Sequence, residues 1–141
     1  MIRHIFLALA LVASSLPVHA AEPEKAGAGA VGQYVDLQPV GLPIVADGKL
    51  VNYVFVYVRI NLTVRADVAL LRQKEPYFRD ALVRAGHRSP FTLKDDYSKI
   101  DAPRLVSVLT RDAIAIVGPG QIRSIVITQQ TPRRRVAMPR A

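Results

Sequence analysis

The fold is decided by one stretch, Tyr53-Val-Phe-Val-Tyr-Val-Arg-Ile-Asn-Leu-Thr-Val-Arg65, in which aliphatic residues alternate with aromatic and polar ones. One set of alternate positions holds Val54, Val56, Val58, Ile60, Leu62 and Val64. Because successive side chains of a strand point to opposite faces, the pattern predicts a long strand with one dry face and one wetter face. The helical sequence that follows is the nearest cover for the dry face.

The residues before this stretch predict a second strand that folds back onto it. Val40, Leu42 and Ile44 alternate, while Pro39 and Pro43 lack the N–H that a ladder hydrogen bond needs. This segment is therefore expected at a sheet edge or a bulge. Asp47-Gly48 separates the two alternations and suits a type I′ hairpin turn, which needs positive φ at both positions.

The residues after the stretch predict a helix that starts at an Asp67 N-cap and ends near Gly86. Pro76 interrupts it, because a proline inside a helix removes one hydrogen bond and costs about 3 kcal/mol. Two outcomes fit: a kink at Pro76, or a second helix with Pro76 in its first turn. Arg79 and Asp80 fall on the solvated side.

A second main helix is predicted from an Asp101 cap to Gly118-Pro-Gly120, after a loop over residues 87–99. The last strand, residues 121–130, has Ile122 and Val126 on one face and Ile125 and Ile127 on the other, which predicts an interior position in the sheet. The predicted fold class is α+β, a mostly antiparallel sheet with two main helices on one face, in the order β-β-α-α-β.

The N-terminus predicts export. A basic start, an apolar run and the small-x-small triplet Val18-His-Ala20 form a signal peptide over residues 1–20, so we expect a periplasmic protein cut after Ala20. The alternative is an uncleaved anchor in the inner membrane. The further organisation is a flexible linker over 21–33, a single domain over 34–130 and a disordered Arg-rich tail over 131–141.

The positive charge is concentrated in the predicted tail. The chain carries 19 basic and 11 acidic residues, whereas residues 21–130 hold 14 basic and 11 acidic ones and are near +3. This distribution predicts a basic tail and not a basic binding face on the domain. Within the tail, Arg133, Arg134 and Arg135 are candidate interaction residues for anionic lipid or cell-wall polymer; the alternative is a solubilising tail.

Residues typical of catalysis and metal binding are sparse. The chain has no cysteine, His87 is the only histidine outside the predicted signal peptide, and Asp95, Asp96 and Asp101 lack the spacing of a calcium loop. We therefore expect no catalytic, cofactor or metal site, and a protein that is not an enzyme.

The wetter face of the long strand carries Tyr53, Phe55 and Tyr57 beside Arg59 and Arg65. This arrangement would suit a binding platform of rings and cations. The favoured interpretation is a second packing surface, covered by the linker or by a long loop. Nucleic acid is not expected as the partner of an exported protein.

Several segments together resemble the periplasmic domain of the flagellar basal-body protein FliL family. They are Tyr34-Val-Asp-Leu-Gln-Pro39, the Pro-Ile-Val segment ending at Val45, the long strand, Glu75-Pro-Tyr-Phe-Arg-Asp-Ala-Leu82 and the last strand ending at Gln130. The resemblance covers residues 34–130. The best matching positions are Pro76, Arg79 and Asp80, and Arg79 and Asp80 are therefore candidate interaction residues.

The resemblance implies a stomatin-like fold and a non-enzymatic accessory protein that supports flagellar motility. It also implies a homo-oligomer that contacts stator or basal-body proteins close to the membrane, with no cofactor. The cleavable N-terminus and the Arg-rich tail depart from the family pattern. The alternative function is a free-standing periplasmic module that binds anionic envelope polymers or another membrane complex.

Overall fold

The computed structural model describes residues 32–134 as a four-stranded sheet with helices on one face. The elements are the strands β1 (Tyr34–Asp36), β2 (Val40–Ala46), β3 (Lys49–Leu62) and β4 (Ile122–Pro132) and the helices α1 (Val68–Gln73), α2 (Glu75–Arg88) and α3 (Ala102–Val117). The α+β class is confirmed, and the order β-β-β-α-α-α-β adds one short strand and one short helix to the predicted order. The predicted signal peptide, most of the linker and the end of the tail lie outside the described residues.

Strand β3 is the centre of the sheet, as its alternation predicts. It pairs antiparallel with β1 and β2, which follow one another along one side, and with β4 on the other side. All its even-numbered residues from Val54 to Leu62 are buried. The predicted dry face does not extend to Val64. This residue is 93% exposed because β3 ends at Leu62 and the chain turns.

Strand β4 pairs only with β3 among the described residues, so the predicted interior position is wrong. Two register shifts leave Arg123 and Thr128 without a partner on β3. These extra residues reset the alternation, as β-bulges do. Ile122 therefore joins Ile125 and Ile127 on the core side, and β4 is an edge strand with one dry face.

The core lies between this sheet face and the helices. Its fully buried side chains include Phe78 and Leu82 from α2, Leu105 and Leu109 from α3, and Leu42 from β2. A single apolar layer of this kind is what an amphipathic sheet and two amphipathic helices form when they exclude water together.

The helix boundaries confirm most of the predicted signals. The Asp67 side chain accepts a hydrogen bond from the Leu70 amide at 3.0 Å, and the Asp101 side chain caps α3 through the Arg104 amide at 3.1 Å. Pro76 lies in the first turn of α2, which confirms the second-helix alternative. The tight turn at Asp47 and Gly48 is also confirmed, since both residues have positive φ.

Gly86 does not end a helix, and that prediction is wrong. Helix α2 continues to Arg88, which also shortens the predicted loop, and Gly86 is buried against β2. A Cβ atom at this position would lie 2.7 Å from Leu42 Cδ2. The glycine is thus required by the close approach of α2 to the sheet.

No helix within residues 32–134 is both long enough and apolar enough to cross a membrane.

Candidate functional site on helix α2

A groove between α2 and the start of β2 collects the residues that best match the FliL family. This α2–β2 groove has a volume of about 420 Å³ and is lined by Pro39, Gly41, Pro76, Arg79, Asp80 and Val83, among others. Its residues come from two segments that lie far apart in sequence. The structure therefore brings the predicted residues Arg79 and Asp80 together with Pro76 and with the connection that precedes β2.

The charges of the α2–β2 groove are balanced by partners on α2 itself. Arg79 Nε lies 3.4 Å from Glu75 Oε1, and Arg84 NH1 lies 2.9 Å from Asp80 Oδ2. Glu75 Oε1 also accepts a hydrogen bond from the Gln38 amide at 2.9 Å, which ties the start of α2 to the β1–β2 connection. The charges of the groove are thus close to balanced.

The predicted residues Arg133 and Arg134 lie elsewhere, beyond the edge strand β4. The Arg133 amide donates to the Tyr53 carbonyl at 2.8 Å, and the Asn52 side chain bonds both the amide and the carbonyl of Arg134, at 3.2 and 2.8 Å. Because β4 runs to Pro132 and these bonds follow it, the tail boundary predicted at 131 is wrong. Arg135 lies outside the described residues, and strand β3 separates Arg133 and Arg134 from the α2–β2 groove.

The aromatic face of β3 lies opposite the helices. Phe55 is 41% exposed, and its ring covers Gly41 of the neighbouring strand, where a Cβ would lie 3.2 Å from the ring. Tyr53 and Tyr57 are half-buried. The predicted cover by the linker falls outside the described residues, so the packing interpretation stays a prediction.

Arg59, on the same face, is held by β1. Its guanidinium lies 3.9 Å from the centroid of the Tyr34 ring and donates two hydrogen bonds to the Asp36 carboxylate, at 2.7 and 2.9 Å. The hydrogen bond with Asp36 raises the pKa of Arg59 above its ordinary value. The bidentate pair fixes this cation in place and neutralises its charge.

A second groove, between α2 and α3, was not predicted. It consists of two adjoining cavities of about 330 and 360 Å³, which share Arg88 and Asp112. Its walls carry Arg84 and Arg88 from α2 and Arg104 and Arg111 from α3. The signal was present in the sequence, because residues four or seven apart lie on one side of a helix.

The side chains that suit catalysis or metal binding are scattered in the described part of the chain. Between residues 32 and 134, no three His, Cys, Asp or Glu side chains are grouped to hold a metal ion. His87 is exposed, with Nδ1 2.9 Å from the Val83 carbonyl of its own helix. That the protein is not an enzyme stays a prediction.

Comparison of the chain with models of known protein families gives no match, and comparison with curated proteins gives none either. The resemblance to the FliL family thus depends on the residues quoted for it, and the geometry of the α2–β2 groove is the structural feature on which a function can be proposed.

Proposed function

We propose that the chain is an exported, non-enzymatic accessory protein of the flagellar motor. It acts by self-association and by contact with a stator or basal-body protein, and so supports motility. The observation that supports this proposal is the α2–β2 groove, in which Pro39 meets Pro76, Arg79 and Asp80. Two segments that lie apart in the sequence, and that each resemble the FliL family, form one surface in the folded chain.

The construction of the α2–β2 groove suits a protein contact. Pro39, Pro76 and Val83 give it an apolar lining, while Arg79 and Asp80 stand at its rim with side chains 42% and 56% exposed. Protein interfaces combine an apolar centre with a polar rim in this way. The hydrogen bond from the Gln38 amide to Glu75, next to the groove, links the two segments that form its walls.

Site-specific crosslinking in the native host tests the proposal. A photoreactive phenylalanine analogue replaces Tyr77, which is 58% exposed and follows Pro76 on α2; a matched control replaces Val64, which is 93% exposed in the turn after β3. We expect stator or basal-body proteins to be recovered from the Tyr77 position and not from the Val64 position.

Charge reversal sharpens the same experiment. Arg79→Glu should lower the yield from the Tyr77 position about fivefold, because a reversed rim charge opposes the partner's field. Arg72→Glu on α1 makes the same charge change at an exposed site outside the groove and should leave the yield unchanged. If only the protein itself or unrelated envelope proteins are recovered, the fold stands and the motor assignment is discarded.

A further inference from the structure

A group of positive charges lies between α2 and α3. Residues 32–134 carry 15 basic and 9 acidic side chains, a net charge of +6. The α2–α3 groove is lined by four arginines and one aspartate, Asp112, and Arg84 is also paired with Asp80. Four positive charges less these two carboxylates leave +2, a third of that excess. Counting charge along the sequence assigns the basic character to the tail and misses this cluster.

One arginine of the α2–α3 groove, Arg104, is positioned before any ligand binds. Arg104 donates to the Pro90 carbonyl at 3.2 Å and to the Ser89 hydroxyl, and its guanidinium lies 5.5 Å from the centroid of the Phe91 ring. Such contacts reduce the entropy that the side chain would lose when a partner binds.

Donors remain available in this groove. Arg111 pairs with Asp112 at 3.0 Å and Arg84 with Asp80 at 2.9 Å, whereas Arg88 has no ion pair or side-chain hydrogen bond with another described residue. A guanidinium carries five N–H donors, and each of these contacts uses only one or two of them. The groove can therefore make several charge-assisted bonds to carboxylates or phosphates.

The apolar part of the α2–α3 groove favours one of those ligand classes. It is lined by small or aliphatic residues, Ala81 and Ala85 from α2 and Val108, Ala115 and Ile116 from α3. A phosphate polymer has no apolar side to bury there. An amphipathic protein segment has one, and its flanking carboxylates would face the arginines.

We infer that the α2–α3 groove binds an acidic amphipathic segment of a partner protein. The inference rests on the proposed function in taking the ligand to be a protein, and it adds the chemistry of that partner. It concerns a different side of α2 from the groove in the crosslinking experiment, so each idea fails separately.

Binding of a synthetic peptide to the purified full chain tests the inference. The probe is a labelled helical peptide of about 16 residues, roughly 24 Å long, with leucine and alanine on one face and glutamates on both flanks. Fluorescence anisotropy should show that Arg84→Gln with Arg88→Gln weakens binding about tenfold. The matched pair Arg65→Gln with Arg72→Gln removes the same charge from exposed sites elsewhere and should change it less than about twofold.

A variant in the apolar lining distinguishes specific binding of the acidic peptide from binding of any polyanion. Ala115 lines the groove and is exposed, so Ala115→Trp occupies the groove without adding bulk to the core. It should weaken the peptide about tenfold and leave binding of inorganic polyphosphate within about twofold. The inference is overturned if the Arg84 and Arg88 pair behaves like its control, or if polyphosphate binds as tightly as the peptide.

The two experiments have distinguishable failures. If the peptide experiment fails while motor proteins are still recovered from the Tyr77 position, the inferred ligand of the α2–α3 groove is rejected and the proposed function stands. If the peptide binds as expected but no motor protein is recovered from the Tyr77 position, an acidic protein partner in the α2–α3 groove is supported and the assignment to the flagellar motor is rejected.

Discussion

Helix α2 has two solvent-facing sides, and their charged side chains are paired differently. Toward β2, Arg79 and Asp80 are each paired with a residue four positions away on the same helix. Toward α3, Arg88 shares a cavity with Arg104 and Arg111, Arg84 lines the adjoining cavity, and Asp112 lines both. The β2 side is balanced by ion pairs within the helix, one of which uses Arg84 from the other side. The α3 side keeps an excess of positive charge even when that pair is counted.

The comparison teaches which surface would gain most from a ligand. Ion pairs spaced four residues apart on a helix stabilise it by about 0.2–0.5 kcal/mol each, and like charges at that distance destabilise by similar amounts. The ion pairs of the α2–β2 groove thus stabilise the free protein, and a partner there gains from shape and from the exposed charges at the rim. The α2–α3 groove bears repulsion in the free protein, which an anionic partner would relieve.

The largest expected effect comes from removing the side chain that holds both grooves in place. Phe78 is fully buried beneath α2, so Phe78→Ala should lower the free energy of unfolding by about 3–5 kcal/mol. Urea titration followed by circular dichroism measures the loss, and both peptide binding and crosslinking should fall with it. Tyr77→Ala, at the exposed neighbouring position, should cost less than about 1 kcal/mol.

A smaller effect should be confined to the α2–β2 groove. Glu75→Gln removes the charged partner of Arg79 and weakens the bond from the Gln38 amide, so we expect a loss of about 1 kcal/mol in unfolding free energy. Peptide binding in the α2–α3 groove should stay within about twofold of the wild type. A tenfold loss of peptide binding would show that the two grooves are not independent.

The sequence predicts the parts of the fold where one local rule acts alone. The alternation of β3, the caps at Asp67 and Asp101 and the tight turn at Asp47 need only neighbouring residues, and they are confirmed. Gly86 shows the limit of such rules. A glycine near a helix end indicates a stop, but here the contact with Leu42 across the core requires it, and that contact exists only in the folded chain.

The other features that were not predicted also depend on contacts between residues far apart in the sequence. The extra residue Arg123 in β4 moves Ile122 to the core face, and a period-two pattern cannot register an insertion that is visible only against β3. The α2–α3 groove was missed because Arg88 and Arg104 are separated by the loop between the helices. Charge counted by segment does not show which helices will lie side by side.

The smallest expected effect tests the charge comparison most directly. Arg79 and Arg84 lie on the same helix, and each pairs with a carboxylate four positions earlier. At low ionic strength, Arg79→Gln should lower the unfolding free energy by about 0.4 kcal/mol, because only an attraction is lost. Arg84→Gln should cost close to nothing, because the lost attraction is offset by relief of repulsion from the other arginines of the α2–α3 groove.

Removing the acidic partners first isolates that repulsion. In an Asp80→Asn background, Arg84→Gln should raise the unfolding free energy by a few tenths of a kcal/mol, whereas in a Glu75→Gln background Arg79→Gln should be neutral. Urea titrations at low and high sodium chloride measure both cycles, and screening should abolish the gain from Arg84→Gln at high salt. If Arg84→Gln destabilises the Asp80→Asn protein, the arginines do not repel one another strongly enough to matter, and the two sides of α2 are electrostatically alike.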